Sequence, residues 1–469
     1  MVCRYNFKET NSHGGMHMNH SARRNRRRFA VVIAVMILVL AGVAIGLHLR
    51  GGQEPGSQPV GGDVTPTPTP DLTIRPVATA TLGNTGDILI HSPILTATKQ
   101  SDGSYRFDNI FSVLAPYVKQ VDFATINLEL TLPGSKYQGY PTFRTPDSLV
   151  DSILTAGFDL VTTANNHAND SGENGMVRTT QVLTEKGLPY TGTRTQATDK
   201  NYRVQSINGI KVGMVSYTHG AYLADGRKSI NAIPCTTDSS QLINMFAYDR
   251  LDEFYDDMAE DIANMKAEGA EALVAYIHWG DEYHIQQNKT QEAMAQKLSD
   301  LGIDVIVGCH PHVVQPVTVI ESEVSGKSTL CVYSMGNAVS NQRIAQMDDI
   351  KTGHTEDGMF VTFTFTKYSD GSVRVTGGEI LPTWVHLYTQ DGRKVYQIVP
   401  LDKGTEDWSG ELGLGNSSNG VRDAEKSYDR TMAIVGDGLA EWEAFFQAQQ
   451  QELDDTNRAL RGESPSPEQ

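Results

Sequence analysis

From Val77 onward, short apolar runs alternate with stretches of helical spacing. The apolar runs are VATATLGNTGDILI (77–90), VDFATINLEL (121–130), FDLVTTAN (158–165), IKVGMVSYT (210–218), EALVAYIHWG (271–280), IDVIVGCH (303–310), STLCVYSMGN (328–337) and GMFVTFTFT (358–366). Their length and their β-branched and aromatic content predict strands. Between them, residues 147–157, 175–187, 251–269 and 290–302 repeat apolar positions every three to four residues, and each ends in Gly, as helices commonly do. Strand–helix alternation predicts an α/β architecture. The stretch GMFVTFTFTKYSDGSVRVTGGEILPTWV (358–385) reads as a hairpin around a Ser-Asp-Gly-Ser turn, which adds antiparallel strands. The expected fold is therefore a mixed sheet or a two-sheet α/β sandwich. The pattern fades after about residue 400. Residues 427–453 read as a last helical segment, and GESPSPEQ at 462–469 as disordered.

A different pattern precedes this domain. RRNRRR (Arg23–Arg28) leads into FAVVIAVMILVLAGVAIGLHL (Phe29–Leu49), an apolar run interrupted only by His48. About 20 such residues cross a bilayer as a helix, whereas a cleaved signal has an apolar core of about 7–15 residues and a small-residue cleavage site. No clean Ala-x-Ala follows, so an uncleaved single-pass anchor is expected. The arginine flank puts residues 1–28 in the cytoplasm and the main domain outside the cell membrane. Residues 50–76, rich in Gly, Pro and Thr-Pro, form an extended spacer. The expected organisation is thus a basic N-terminus (1–28), a transmembrane helix (29–49), a linker (50–76), the main domain (77–400) and a partly disordered C-terminal extension (401–469).

Charge follows the same division. Eight of the 39 basic side chains and one of the 56 acidic ones lie in the first fifty residues, which leaves 31 against 55, a net of −24, for the rest. Such a surface excludes nucleic acid as a general partner. Three of the four cysteines, Cys235, Cys309 and Cys331, fall in the outer part at no zinc-site spacing. If one disulfide forms, Cys309 with Cys331 is the expected pair, since both lie on strand-like segments.

Polar residues gather at the ends of the predicted strands. The first gives Asp87 and His91, the second Asn127 and Glu129, the third Asn165, Asn166, His167 and Asp170. HWGDEYH gives His278, Asp281, Glu282 and His284, and GCHPHVVQP gives His310 and His312. One such residue alone is a helix cap, a turn former or a structural histidine. Five strand ends supplying carboxylate, amide and imidazole make a ligand set for Zn, Mn or Fe, because α/β proteins collect ligands beyond their strand C-termini. Spread over five loops, the set suits two ions bridged by a carboxylate.

Together GDILIH, INLELTL, FDLVTTANNHANDSGENG, VGMVSYTHG, YIHWGDEY, GIDVIVGCHPHVVQP and YSMGNAVSNQ resemble, in order, the CapA-type capsule-synthesis family, also described as the poly-γ-glutamate biosynthesis family. The resemblance runs from about Thr79 to about Leu387 and implies the calcineurin-like metallophosphoesterase fold, a two-sheet α/β sandwich. It implies as metal ligands Asp87, His91, Glu129, Asn166, His278, His310 and His312, with His310 and His312 on different ions, and His167 as general acid. Two motifs depart from the superfamily pattern. Glu129 stands where Asp is usual, and three residues separate Asp87 from His91 instead of one. On a strand that offset is about 13 Å, at roughly 3.3 Å per residue, so either a turn folds His91 back or His91 is no ligand. Arg144, in YPTFRTP, is the candidate grip on a phosphate or carboxylate, with a surface salt bridge as its plainer role. Asp170 and Glu282 are expected to support the ligands from behind.

The resemblance implies a membrane-anchored protein outside the cytoplasm that takes part in making, exporting or anchoring poly-γ-glutamate or a similar capsule polymer. Its implied cofactors are divalent metal ions, as many as two, and its implied partners are the polymer and other capsule synthase subunits. An extracellular phosphoesterase acting on a phosphate-containing substrate, and an enzyme cutting or transferring γ-glutamyl bonds, remain the alternatives.

Overall fold

The computed structural model describes residues 72–347 and 350–463. The apolar segment at 29–49, the spacer up to 71, and residues 464–469 of the C-terminal tail lie outside the described residues. Among the described residues no helix is long and apolar enough to cross a membrane.

The strands are, in chain order, β1 (Pro76–Ile88), β2 (Phe123–Leu128), β3 (Leu160–Thr162), β4 (Tyr190–Thr191), β5 (Tyr202–Ile207), β6 (Ile210–His219), β7 (Ala221–Tyr222), β8 (Lys228–Ile230), β9 (Ile233–Pro234), β10 (Met245–Phe246), β11 (Ala272–His278), β12 (Val305–Cys309), β13 (Val317–Ser322), β14 (Lys327–Val332), β15 (Asn337–Val339), β16 (Asp357–Tyr368), β17 (Val373–Gln390) and β18 (Arg393–Pro400). One sheet runs β18-β17-β16-β1-β2-β3-β4, with β15 also beside β1. Its β1 to β4 are parallel and its β16 to β18 antiparallel. The other sheet runs β10-β6-β11-β12-β14-β13, with β5 beside β6. There β6, β10, β11, β12 and β14 are parallel, while β5 and β13 pair antiparallel. Strands β7 to β9 form a small third sheet.

Strict alternation explains how the two large sheets stack. Along β11, Val274 and Tyr276 face the other sheet, while Leu273, Ala275 and Ile277 face helices. The inter-sheet core joins Ala80, Leu82, Phe363 and Phe365 to Val212, Val274, Val305 and Val332. Burying each such side chain contributes about 1.5–3 kcal/mol. Helices α1 (Ser92–Thr98) and α2 (Ser148–Ala156) cover the outer face of the first sheet, through Ile94, Leu149 and Ile153. After α3 (Gly172–Glu185), helices α4 (Leu251–Ala267) and α5 (Lys289–Leu301) cover the second sheet through Phe254, Met258, Met294 and Leu298. The molecule is thus an α/β sandwich of two mixed sheets between helical layers. Helix α2 ends on Gly157 at φ 106°, and α5 starts with a reciprocal Asn288–Gln291 cap.

Two expectations are corrected. Cys309 and Cys331 are buried free thiols and form no disulfide. Cys309 continues the inward row Val305–Val307, whereas Cys331 faces the helices between the inward Leu330 and Val332, so the sheet separates the two sulfurs. The last helix, α6 (Gly420–Leu460), is longer than the segment 427–453 read from the sequence. Its Val435 and Trp442 enter the inter-sheet core. Trp442 Nε1 donates to Thr318 O (3.0 Å), and Arg430 pairs with buried Asp357 at 2.6 Å.

Candidate metal centre

Strands β1, β2, β3, β11 and β12 end on the same rim, and that rim carries the polar set. Asp87 is held at the end of β1 between Asn127 of β2 and Asn337 of β15. Gly86 permits this crossing: a Cβ there would stand 1.8 Å from Gly336 O. Glu129 directly follows β2, the Asn165–His167 run follows β3, and His278 ends β11. His310 and His312 follow β12 with φ of 101° and 56°. Left-handed backbone is unfavourable for residues with a Cβ and is kept where the surroundings enforce it, often at functional sites.

These side chains meet in one buried cluster. The donor atoms of Glu129, His278 and His310 lie within 4.8 Å of one another, and so do those of Asp87, Glu129 and His312. Glu129 belongs to both groups, the position of a bridging carboxylate, and His310 and His312 fall in different ones. Asn166 Oδ1 lies 3.0 Å from His278 Nε2, which in turn is 3.5 Å from Glu129 Oε1. His312 Nδ1 is 3.2 Å from Asp87 Oδ2 and 3.2 Å from Asn337 Oδ1, and Asn127 donates to Asp87 Oδ1 at 2.7 Å.

The electrostatics suit a cation. Burial alone would raise Asp87, but the His312 hydrogen bond, the neighbouring His312 and His278 imidazoles and the Asn127 amide outweigh it and hold the carboxyl at about 2. Burial, and then the Asp87 charge, push Glu129 well above the usual carboxylate range. Burial holds His278 and His310 well below the usual imidazole value, so both are the neutral form that ligates metal. Both Glu129 oxygens, His278 Nδ1 and His310 Nδ1 are buried without a hydrogen-bond partner. Orphaned buried polar atoms are rare and costly, and a divalent ion would satisfy them. The residues present therefore fit divalent metal in two adjoining positions.

Around this core stand the other predicted residues. His167 Nδ1 bonds Asp170 Oδ2 at 2.7 Å, and the same oxygen accepts Phe143 N. The Phe143 ring lies edge-on between His91 and His167, with centroids 4.9 and 4.6 Å away. His91 is half-buried and in neither group: its Nδ1 accepts Asn341 N at 3.2 Å, and burial lowers it to about 4. Arg144 Nη2 donates to Asp170 O at 3.2 Å, so it borders His167 and makes no ion pair among the described residues. Glu282 is exposed at the mouth, with its carboxylate within 4.8 Å of donors of His310 and His312. Trp279 packs fully buried and donates to Tyr333 O. Sequence reasoning left out His219 and Asn337. The His219 ring stands 4.3 Å from that of His310, and its Nδ1 is 3.2 Å from His278 O. Asn337 ends the run STLCVYSMGN and His219 is the last polar residue of VGMVSYTHG, which was the available signal.

This arrangement can be set beside known proteins. The bacterial capsule synthesis protein PGA_cap family matches residues 81–342, more than half of the chain and all of the cluster. The chain belongs to this family. It is 29% identical over 269 residues to the capsule biosynthesis protein CapA of Bacillus anthracis, covering 56% of this chain and 60% of that one. It is 26% identical over 299 residues to the PGA biosynthesis protein CapA of Bacillus subtilis, covering 62% and 69%. The matched part thus spans three fifths of the first relative's length. Among solved structures, the Thermus sulfate thiohydrolase SoxB aligns at TM-score 0.33 and 14% identity over 70% of this chain and 46% of that one.

Proposed function

We propose that this chain is a membrane-anchored capsule-synthesis component, outside the cytoplasm, that acts on poly-γ-glutamate or a similar polymer through a calcineurin-like two-metal centre. One observation carries the reading: Glu129, fully buried with both oxygens unpartnered, lies between two sets of donors from different strands. The family and the two CapA relatives support the capsule polymer. The arginine flank and the apolar run at 29–49 support the anchor and its orientation. Other synthase subunits in the same membrane are the expected partners.

Bound divalent ions would supply Lewis-acid stabilisation and a water acidic enough to act as nucleophile. The chain's own residues do the rest. Asp170 fixes the His167 ring through Nδ1, which leaves Nε2 to hand a proton to a departing oxygen or nitrogen. Arg144, anchored on Asp170 O beside that histidine, brings a positive charge to an anionic substrate. The Phe143 ring walls the two histidines apart and keeps water from this side.

The His167–Asp170 pair also favours a second reading, extracellular phosphoester hydrolysis, since a polymer-binding component has no need of a positioned acid. The experiment offers the purified full chain a chromogenic phosphodiester and, separately, poly-γ-glutamate, each with metal, with chelator and as His167→Ala. Polymer cleavage lost with His167→Ala identifies a γ-glutamyl hydrolase or transferase, and dye hydrolysis lost the same way identifies the phosphoesterase. Polymer lost from cells on deletion, with neither hydrolysis in vitro, identifies a binding component of the synthase.

A further inference from the structure

The loop after β11 is stitched to the loop after β12. Trp279 N donates to Cys309 O (3.1 Å), and four residues on Tyr283 N donates to Pro311 O (2.8 Å). Trp279 Nε1 is anchored on Tyr333 O, and Gly280 N donates to Tyr248 OH. Gly280, at φ 89°, leaves no room for a side chain, because a Cβ would stand 2.7 Å from Gln291 Cδ. Tyr283, His310 and His312 all have left-handed backbones, at 66°, 101° and 56°. Three residues with β-carbons held this way in two joined loops are costly, of order 1 kcal/mol or more each, and such strain clusters where a site must be shaped.

The result of the stitching is the placement of one carboxylate. Asp281 turns away to accept from Asn288 at the start of α5. Glu282 turns the other way, and its carboxylate comes within 4.8 Å of donors on both His310 and His312, while the residue stays exposed. His310 Nδ1 is buried with no partner. A carboxylate and two imidazoles with donors within 4.8 Å of one another, open to solvent on one side, can serve as a ligand set rather than only as a support.

We propose that Glu282 is itself a metal ligand, closing the open face of the centre between the ions held by His310 and His312. This rests on the two-metal reading above. As the one exposed carboxylate of the set, Glu282 is the ligand that an anionic substrate group displaces on entry.

The test loads the metal-free full chain, as wild type, Glu282→Gln and Glu282→Asp, with Zn(II) alone, by calorimetric titration, and locates the zinc by anomalous scattering in crystals. The expected result is a Glu282 oxygen about 2.0–2.2 Å from a zinc ion, with one of two binding events weakened about tenfold or more in Glu282→Gln and partly restored in Glu282→Asp. The metal-free melting temperatures should coincide, because the side chain is exposed. Two zinc ions with Glu282 remote from both would overturn the proposal and leave the two-metal centre standing, whether or not Glu282→Gln binds more weakly. A wild-type chain that takes up no zinc would overturn the centre, and the Glu282 role with it.

Discussion

Gly308 shows how a single residue sets the centre. It lies in β12, two positions before His310, and a Cβ there would stand 2.0 Å from Tyr333 O and 2.7 Å from Trp279 Nε1. Its own carbonyl accepts Met335 N at 3.0 Å. Gly308→Ala must therefore push β12 away from the 333–335 segment and break that bond. Overpacking of this kind costs about 1–3 kcal/mol, and the lost hydrogen bond adds about 1. The expected outcome is an unfolding free energy lowered by that amount, read as a lower denaturant midpoint at unchanged slope, with weaker metal uptake because the strand's end carries His310 and His312. An alanine variant with wild-type midpoint and uptake would refute the packing account. None of this was legible in GCHPH as a string. The histidines were, since they follow an apolar run, as were Asp87, Glu129, Asn166 and His278, which the structure gathers with them. His219 and Asn337 were fainter, polar residues at strand ends whose relevance comes mainly from which strands lie side by side. The same limit applied to Glu282, whose side of the loop is set by hydrogen bonds between loops distant in sequence.

At the scale of elements, strongly periodic segments declared themselves. Helix α4 begins and α5 ends within one or two residues of the bounds read from spacing, and the inward rows of β6, β11 and β12 match their apolar runs. The weakly patterned elements did not. β13 hides behind Pro316, and β18 lies at the end of the patterned stretch, just before the apolar pattern fades. α6 shows only a thin apolar stripe, because it buries one face over a sheet edge and exposes the rest. Polar groups buried under a helix are similarly hidden, and Asp261 of α4 is the case with a measurable consequence. It is 3% exposed and accepts from Tyr217 OH (2.7 Å) and Asn201 Nδ2 (2.6 Å). Burial raises its carboxyl to about 6 from the ordinary 3.8, against the opposing effect of those two hydrogen bonds. The folded state therefore holds the proton more tightly than the unfolded chain. This contribution to stability is full below about pH 4 and falls as pH rises towards 6. Asp261→Asn removes the titration. Between pH 4 and 6.5 the wild type should lose about 1–3 kcal/mol more than the variant, which urea midpoints across that range will measure. Parallel pH profiles for the two proteins would count against it.

At the scale of the whole molecule, the candidate ligands divide between the two sheets. Asp87, Glu129 and Asn166 come from strand ends of the first sheet, and His278, His310 and His312 from strand ends of the second. Elsewhere those sheets are joined mainly by apolar packing, which is non-directional, with the Tyr276–Asn84 hydrogen bond across it; at this rim coordination to shared metal would join them and fix distances. Metal bound across the seam is then a clamp on the sandwich, and its binding free energy adds to folding stability. With free metal at 100 times Kd the gain is about 2.7 kcal/mol for one ion. For a domain of this size that is a rise in melting temperature of about 3 °C, since unfolding entropy scales with length. Chelation should therefore lower the calorimetric melting temperature by about that much, and added Mn(II) or Zn(II) should restore it. His278→Ala should abolish most of the metal-dependent shift, because it removes a ligand that the second sheet contributes. Burial and the Asp87 charge push the Glu129 carboxyl well above the usual carboxylate range, and metal binding needs its charged form. The shift should consequently shrink as pH falls, because protons compete with metal for the same carboxylate. If chelation leaves the melting temperature unchanged in a chain shown to have bound two ions, the ions bind the unfolded chain as tightly as the folded one, and the clamp is refuted. The two sheets would then be held by the apolar core and the few polar links across it, such as Tyr276–Asn84.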